Sequence, residues 1–300
     1  MNSSDTADLP PEISVVLAFS GDRAALARCL RAIREPGVRS ELIVAYADRE
    51  AAPTKTNPEF ERVRFVESAE GIGRMRAAGI AVATAPLIAI TRDDACPAPG
   101  WLAHFVRSHD RTDASAIGGP VLVEEDASLT ALAAFLSEYS AFTSVSFDAN
   151  AADLAASNVC YKKSALPFDD IADYGYREMA LHERLRAEGR RLQYDPAVPV
   201  FLPAREQLLK FALGRFRMSR RFARDRAADT SAMRRSMLAL GSPLLPALFI
   251  ARTSSRAIRN RRGRELLRSL PLIAFFHIVA AGGEALGYLQ SVVRPGGGRR

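Results

Sequence analysis

The amino-acid sequence predicts an α/β fold, in which a mainly parallel sheet is flanked by helices and followed by a C-terminal helical segment. Three observations predict it. Short apolar runs rich in β-branched residues alternate with segments of helical periodicity, the fourth run ends abruptly on Asp93 and Asp94, and the composition changes near residue 205. Strands that alternate with helices at this spacing indicate parallel pairing, with both faces of the sheet covered.

The four apolar runs predict buried strands, because largely apolar segments of this length are typical of strands covered on both faces. They are ISVVLAF (13–19), ELIVAY (41–46), RVRFV (62–66) and PLIAIT (86–91). Apolar positions at helical spacing predict a helix after the first run and another over 70–84. Ligands of such sheets bind outside the carboxyl ends of the strands. Asp93 and Asp94 stand at one of these ends and are therefore candidate site residues.

The alternation continues less regularly up to about residue 203. The segment AIGGPVLV covers 116–123, and helices are predicted near 128–141 and over 177–189. A late strand, LQYDPAVPV, is predicted near 192–200. We therefore expect the α/β domain to cover 11–203.

The distribution of charge separates the chain into two parts. Residues 1–200 hold 21 Lys and Arg against 29 Asp and Glu, a net of −8, whereas residues 201–300 hold 20 against 5, a net of +15. Such an asymmetry indicates that the C-terminal part of the chain has a partner of its own. We expect this second domain to cover 204–294. Nucleic acid, anionic lipid and a phosphorylated substrate all match its charge.

The C-terminal part combines basic and apolar segments. An Arg-studded helix is predicted over 205–227, and apolar segments follow at 236–251 and 270–289. A membrane span needs roughly 20 apolar residues, but the first segment has 16 residues with two prolines and the second has only about 12 before its glycines and Glu284. Lengths of this kind favour helices that lie on an anionic membrane surface, in a peripheral or monotopic arrangement. Spanning helices and core or oligomer-interface helices are the alternatives.

The cysteines and histidines favour a reducing compartment and no metal cluster. Cys29, Cys96 and Cys160 are isolated and widely spaced, which fits neither a disulfide framework nor a metal knuckle. His182 and His277 have no partners at metal-ligand spacing and are interpreted as structural. The acidic N-terminus lacks the pattern of a secretory signal. We therefore expect a cytoplasmic location, at the inner face of the plasma membrane.

The order of the motifs resembles a family 2 glycosyltransferase of the GT-A fold, which is Rossmann-like, in a divergent bacterial form. ISVVLAFSGDRAALARCLRAI is similar to the family's opening strand and helix, and ELIVAYADRE stands where the family has its nucleotide-binding turn. GIGRMRAAGIAVATAPLIAITRDDACPAPGWL is similar to the central signature, in which an arginine-bearing helix leads to an Asp-rich metal motif. NVCYKKSAL resembles an acceptor-side segment, and GYREMALHERLRAEGRRLQYDPAV keeps the frame of the catalytic motif. The resemblance covers nearly the whole chain.

The resemblance implies an enzyme that moves a sugar from a nucleotide-diphosphate sugar to a lipid-linked or polysaccharide acceptor, with inversion and with Mg²⁺ or Mn²⁺ as cofactor. It implies Glu178 as the catalytic base and Asp94 as the metal ligand. The donor-binding residues that it implies are Ala18, Ser20, Asp48, Arg76, Arg92 and Asp93. The acceptor-side residues that it implies are Trp101 and Asn158.

The paired acids match this chemistry. A divalent cation that bridges the donor phosphates neutralises the charge that develops as the nucleotide leaves, and hard cations prefer carboxylate oxygens. The alternative is a solvated or helix-capping Asp pair. Arg92 stands where the family often has a third acid. It either clamps the phosphates through a bidentate contact or weakens metal binding by repulsion.

Several positions depart from the family's pattern or have an ordinary alternative. Glu178 replaces the catalytic Asp and is longer by one methylene; its alternative is a solvated charge in the first turn of a helix, where acids are favoured. The Asp that reads the donor base aligns with Ala47, so Asp48 would have to substitute for it. For Arg76 the alternative is a solvated helix face, and for Asn158 it is an ordinary turn.

Three functions are consistent with these features. A membrane-associated, metal-dependent glycosyltransferase is the leading hypothesis. A catalytically degenerate scaffold on the same fold is the second, because several acids of the family pattern are altered. A nucleic-acid-binding protein is the third and rests on the charge of +15 alone. No nucleic acid is expected as a partner, since the basic residues lie beside apolar segments and favour a lipid surface.

Overall fold

The structure is a computed structural model that describes residues 9–49, 52, 63–144, 146–228 and 231–293. The chain divides into two compact units. The first comprises Met1–Leu122 with Phe142–Leu202, and the second comprises Val123–Ala141 with Pro203–Arg300. The domain limits 11–203 and 204–294 stay a prediction, and residue 294 and part of the first predicted domain lie outside the described residues.

The first unit is built on a seven-stranded sheet. Its strands are β1 (Ile13–Ala18), β2 (Ser40–Tyr46), β3 (Val63–Glu67), β4 (Leu87–Arg92), β6 (Ala116–Gly118), β8 (Asn158–Lys162) and β9 (Leu192–Tyr194). Their order is β3-β2-β1-β4-β8-β6-β9. β8 runs antiparallel to both of its neighbours, and the remaining pairs are parallel. The predicted α/β class with a mainly parallel sheet is confirmed.

The centre of this sheet is fully buried, as its apolar sequence requires. β1 pairs in register with β4 from Ile13 opposite Leu87 to Ala18 opposite Arg92. All six residues of β1 are buried, so the strand is covered on both faces as a parallel central strand must be. Because the two strands end at the same level, the residues that follow them, Phe19–Ser20 and Asp93–Asp94, emerge side by side.

Helices cover the sheet of the first unit. They are α1 (Arg23–Ile33), α2 (Ile72–Val82), α3 (Trp101–Arg111), α5 (Phe168–Tyr174) and α6 (Glu178–Ala187). The Asp22 carboxylate caps α1 by accepting the amides of Ala24 and Ala25 at 2.9 and 3.0 Å. α2 lies very close to β1: a Cβ added to Gly79 would be 2.5 Å from Cγ1 of Val16. Only glycine permits this approach.

The second unit is helical. Its helices are α4 (Leu129–Tyr139), α7 (Leu208–Ala228), α8 (Ala232–Gly241), α9 (Leu245–Arg259) and α10 (Gly263–Val293). α10 packs along α7, where the rings of Phe211 and Phe276 meet edge to face with centroids 4.6 Å apart. An ion pair of 3.4 Å between Arg215 and Glu138 joins α7 to α4. The unit therefore has its own core.

Two sequence expectations need correction. The strand predicted near 192–200 is two strands, β9 and β10 (Val200–Leu202), in different sheets; β10 lies between β5 (Cys96–Pro97) and β7 (Val121–Val123). Pro196 and Pro199 explain the break, because proline cannot donate to a strand ladder. The apolar segment 236–251 is likewise divided, into α8, a 3₁₀ turn over Ser242–Leu244 and α9.

The other apolar segment, 270–289, is longer as a helix than its sequence indicated. It lies inside the 31-residue α10, which continues through Pro271. Among the described residues one helix, over Gly263–Ser291, is long and apolar enough to cross a membrane by length and composition alone, with a mean hydropathy of 1.6. However, 44% of its most apolar window is buried inside the structure, which is also what a core helix shows.

We predict that Gly79→Ala destabilises the protein by about 1–3 kcal/mol, because the added methyl group would displace Val16 beneath α2. The matched control is Gly214→Ala in α7, where a Cβ meets nothing within 4 Å. That change should stabilise by about 0.5–1 kcal/mol through helix propensity. Urea denaturation measures both, and a Gly79→Ala variant as stable as the wild type would contradict the close approach.

Candidate active site

The first residue of the site is Asp93, which follows β4 and lies at the end of the paired strands β1 and β4. Its carboxylate accepts the backbone amide of Ser20 at 2.6 Å. Asp93 is only 4% exposed. Burial and the neighbouring Asp94 raise the pKa of Asp93 to about 6, while the hydrogen bonds from Ser20 oppose the rise. A second link to this strand end is the Cys29 thiol, which donates to the Arg92 carbonyl at 3.2 Å.

The second element is an ion pair between Arg92 and Asp94. The Arg92 Nε and Nη2 donate to the two carboxylate oxygens of Asp94, each at 2.7 Å. The side chains are 30% and 22% exposed, so the pair lies at the surface of the strand end. This is the bidentate geometry with which arginine also binds phosphate. Arg92 and Asp94 thus present both charges to a ligand.

The carboxyl ends of β1 and β2 lie beside these acids. Met75 of α2 packs against Ala18 at the end of β1 and Ala45 near the end of β2. Asp48 follows β2 and is exposed. Since parallel strands end at one edge of a sheet, Ala18, Ser20, Asp48 and Asp93 are brought to the same edge. The structure thus brings together most of the residues predicted to bind the donor.

Arg76 follows Met75 on α2 and faces the segment before α6. Its guanidinium carbon lies 5.6 Å from the centroid of the Tyr176 ring. The buried Nε makes no hydrogen bond within the described part of the chain. The Tyr176 amide donates to the Gly73 carbonyl at 2.9 Å, which ties this segment to α2. Arg76 is therefore not on a merely solvated helix face.

Glu178 is the first residue of α6 and is half-buried. Burial raises the pKa of its carboxyl group, and nearby Asp153 adds to the rise. Arg76, His182 and the backbone amide of Ala156 act in the opposite direction, since they favour the ionised form. A carboxylate whose pKa is raised toward neutrality and which has an arginine beside it suits proton abstraction.

Trp101 and Asn158 lie inside the fold. The Trp101 indole donates to the Asn158 Oδ1 at 2.9 Å, and both residues are almost completely buried. The Asn158 amide nitrogen donates to the carbonyls of Pro120 and Val198 at 2.9 and 2.6 Å. These contacts join the start of α3 to β8. Their assignment to the acceptor side stays a prediction.

Sequence reasoning missed the surroundings of Glu178. His182, which the sequence indicates to be structural, lies one turn after Glu178 on α6 and bonds to Asp153 and Tyr161. The spacing of four residues on the predicted helix was a signal, because such residues share a face. Asp153 and Tyr161 gave no such signal, since only the tertiary fold brings them to His182.

Similarity to known proteins is found among solved structures and not among sequences. No protein-family model and no curated protein sequence matches the chain. A mannosyltransferase from Pyrobaculum calidifontis, solved with GDP-Man and Mn²⁺, is similar with a TM-score of 0.51 and 16% identity, over 95% of this chain and 88% of that one. A GalNAc-T7 structure with UDP, GalNAc and Mn²⁺ is similar with a TM-score of 0.50 and 12% identity, over 65% of this chain and 44% of that one.

This chain has a GT-A-type fold. This chain has a central, mainly parallel sheet with flanking helices and an apolar C-terminal helix. At identities of 16% and 12% the likeness establishes the fold alone. In the GT-A-type fold of this chain, Asp93 and Asp94 lie at the carboxyl end of a central strand.

The acids at the end of β4 fit a divalent cation of the kind that is bound together with phosphates. In the described residues no group of three or more His, Cys, Asp or Glu is arranged to hold a metal ion. Mg²⁺ in phosphate sites is held by one or two carboxylates, with phosphate oxygens and water as its other ligands. Asp94, which is partly exposed, provides such a carboxylate. Arg92 competes for it, because its guanidinium already contacts both oxygens.

Proposed function

We propose that the protein is a glycosyltransferase that moves a sugar from a nucleotide-diphosphate sugar to an acceptor hydroxyl. One observation carries the proposal: on a GT-A-type fold, the buried Asp93 and the Arg92–Asp94 pair stand together at the carboxyl ends of β1 and β4. Ligands of open α/β sheets bind at such an edge. Both solved structures described above hold Mn²⁺ with a nucleotide or nucleotide sugar.

The donor residues have separate tasks in this proposal. Ala18, Ser20 and Asp48 contact the nucleoside, since they follow or end β1 and β2. Arg92 and Arg76 bind the diphosphate, for which a planar guanidinium is well suited. Asp94 holds Mg²⁺ or Mn²⁺. A cation held there would supply positive charge that stabilises the departing nucleoside diphosphate.

Glu178 is the base in this proposal. As the acceptor oxygen attacks the anomeric carbon, its proton passes to the Glu178 carboxylate, and the bond from the anomeric carbon to the phosphate oxygen breaks. A single displacement of this kind inverts the anomeric centre. Arg76 favours the ionised form of this carboxylate and so opposes the rise in the pKa of Glu178 that burial causes. Trp101 and Asn158 support the acceptor side through the contacts between α3 and β8.

A catalytically degenerate scaffold is the second candidate function. The observation that favours it is the Arg92–Asp94 pair, in which the carboxylate assigned to the cation is already neutralised by an arginine. A scaffold on this fold would bind partners or membrane and would release no nucleoside diphosphate. Turnover of any nucleotide sugar would exclude it.

The acceptor is proposed to be a lipid-linked or polysaccharide chain at the cytoplasmic leaflet, with the second unit on an anionic membrane. Along α8, the following turn and α9, five exposed apolar side chains recur at helical spacing: Met233, Met237, Leu240, Leu244 and Leu248. We name them the apolar stripe. Arg252, four residues after Leu248 on α9, is also exposed. Apolar groups followed by arginine match a surface of acyl chains and anionic headgroups.

We predict that Glu178→Gln lowers turnover about 10²–10⁴-fold without loss of donor binding, because the amide cannot accept the proton. Nucleoside diphosphate release measures turnover for transfer to a membrane-lipid extract. The control is Glu183→Gln on an exposed position of the same helix, which should behave as the wild type. Wild-type turnover in Glu178→Gln would remove Glu178 from the chemistry.

We predict that Met237→Glu/Leu240→Glu lowers binding to vesicles of mixed phosphatidylglycerol and phosphatidylcholine by at least about 10-fold. Burial of each apolar side chain in the lipid contributes roughly 1.5–3 kcal/mol to the free energy of binding, and a carboxylate makes no such contribution. Cosedimentation measures the partition, and Ile72→Glu on the first unit, where Ile72 is also exposed, is the control. Equal binding by all three proteins would rule out the apolar stripe as the lipid contact.

A further inference from the structure

Four side chains at α6 form a continuous hydrogen-bonded network. The His182 ring contacts the Asp153 carboxylate through Nδ1 at 2.5 Å and the Tyr161 hydroxyl through Nε2 at 2.6 Å. The Tyr161 and Tyr176 hydroxyls are 2.8 Å apart. His182, Tyr161 and Tyr176 are nearly inaccessible, whereas the Asp153 side chain is 36% exposed. The network therefore runs from solvent into the core.

A single direction of donation satisfies the chain when the imidazole is neutral. The ionised Asp153 carboxylate only accepts, so Nδ1–H must donate to it and Nε2 is left as the acceptor. Tyr161 then donates to His182 and accepts from Tyr176. Each polar hydrogen has one acceptor, and bonds aligned in this way polarise and strengthen one another. A chain of this kind fixes its members more firmly than separate contacts would.

The network is connected to Glu178 through α6 and through the segment that precedes this helix. His182 is one helical turn from Glu178 on α6, and Tyr176 lies two residues before it. The His182–Asp153 contact ties α6 to the 153–156 segment, and the Ala156 amide of that segment opposes the rise in the pKa of Glu178. Tyr176 also contacts α2, because its amide donates to the Gly73 carbonyl. The two backbones lie so close that a Cβ added to Gly73 would be 2.8 Å from the Tyr176 carbonyl oxygen. The first turn of α6 is therefore held from β8, from the 153–156 segment and from α2.

We propose that Asp153, His182, Tyr161 and Tyr176 are positioning residues that fix the first turn of α6 and hold the Glu178 carboxylate in place for proton abstraction. The proposal deepens the proposed glycosyl transfer and rests on it for the role of Glu178. The network touches no reacting atom. Its effect is geometric, since a base must lie within hydrogen-bond reach of the proton that it removes.

A cavity of about 170 Å³ adjoins this network. It is lined by Ala152, Asp153, Met179, His182, Glu183 and Arg186. Asp153 can therefore be changed without opening the core. Asp153→Asn keeps an oxygen that accepts from Nδ1, whereas Asp153→Ala removes the acceptor and leaves a buried imidazole N–H unpaired.

The test compares Tyr161→Phe with Tyr194→Phe. Both variants lose one hydroxyl from a buried tyrosine in the same sheet, but Tyr194 donates to the Ser144 carbonyl at 2.9 Å, outside the network. Asp153→Ala and Asp153→Asn form the second pair. Hydrogen–deuterium exchange of the peptide over 175–188 reports the first turn of α6 without any donor or acceptor. Steady-state kinetics report kcat and the donor KM.

We expect Tyr161→Phe and Asp153→Ala to exchange over 175–188 at least about 10-fold faster than the wild type, with kcat about 10–100-fold lower and the donor KM unchanged. Tyr194→Phe and Asp153→Asn should match the wild type in both measurements. Equal exchange in Tyr161→Phe and Tyr194→Phe overturns the network, whatever reaction the protein catalyses. Faster exchange with unchanged kcat overturns its role for Glu178. An inactive wild type with the expected exchange pattern would contradict the proposed function and the role for Glu178, while supporting the network's control of α6.

Discussion

The site depends on the in-register parallel pairing of β1 with β4. Because the two strands end at the same level, the backbone amide of Ser20 meets the carboxylate of Asp93 at 2.6 Å. That bond offsets part of the free energy needed to keep a carboxyl group with 4% exposure in the ionised form. Without it, burial would raise the pKa of Asp93 beyond the value of about 6. A buried strand thus ends in a carboxylate that the Ser20 amide holds in place and stabilises in its ionised form.

The second constraint is the close approach of α2 to its two neighbours. Gly79 allows the helix to lie against Val16 of β1, and Gly73 allows it to lie against the backbone of Tyr176. Arg76 lies midway between these glycines, so it is fixed next to Tyr176 and influences the ionisation of Glu178. α2 therefore links the sheet edge that carries Asp93 to the helix that carries Glu178. Packing distances that only glycine tolerates therefore determine the position of Arg76 relative to Tyr176.

The sequence predicts those parts of the fold that depend on a local pattern of apolar residues. The buried strands and the position of Asp93 and Asp94 follow from apolar runs and the residues that end them. The Arg92–Asp94 pair could not be predicted, because it depends on the side-chain torsions of two residues on one strand end. The length of α10 was also missed: Pro271 and the glycines indicate breaks locally, but packing against α7 sustains the helix. The partners of His182 come from distant parts of the chain.

The central claim is that the edge formed by β1 and β4 binds a nucleotide-sugar diphosphate with a divalent cation at Asp94. Calorimetric titration with UDP-, GDP- and dTDP-sugars, with and without Mn²⁺, tests it most directly, with Asp94→Asn beside exposed Asp110→Asn as the control. We expect one donor class to bind only with Mn²⁺, with wild-type affinity in Asp110→Asn and at least about 10-fold weaker binding in Asp94→Asn. Absence of binding by every donor, or binding that neither Mn²⁺ nor Asp94→Asn alters, would contradict the claim.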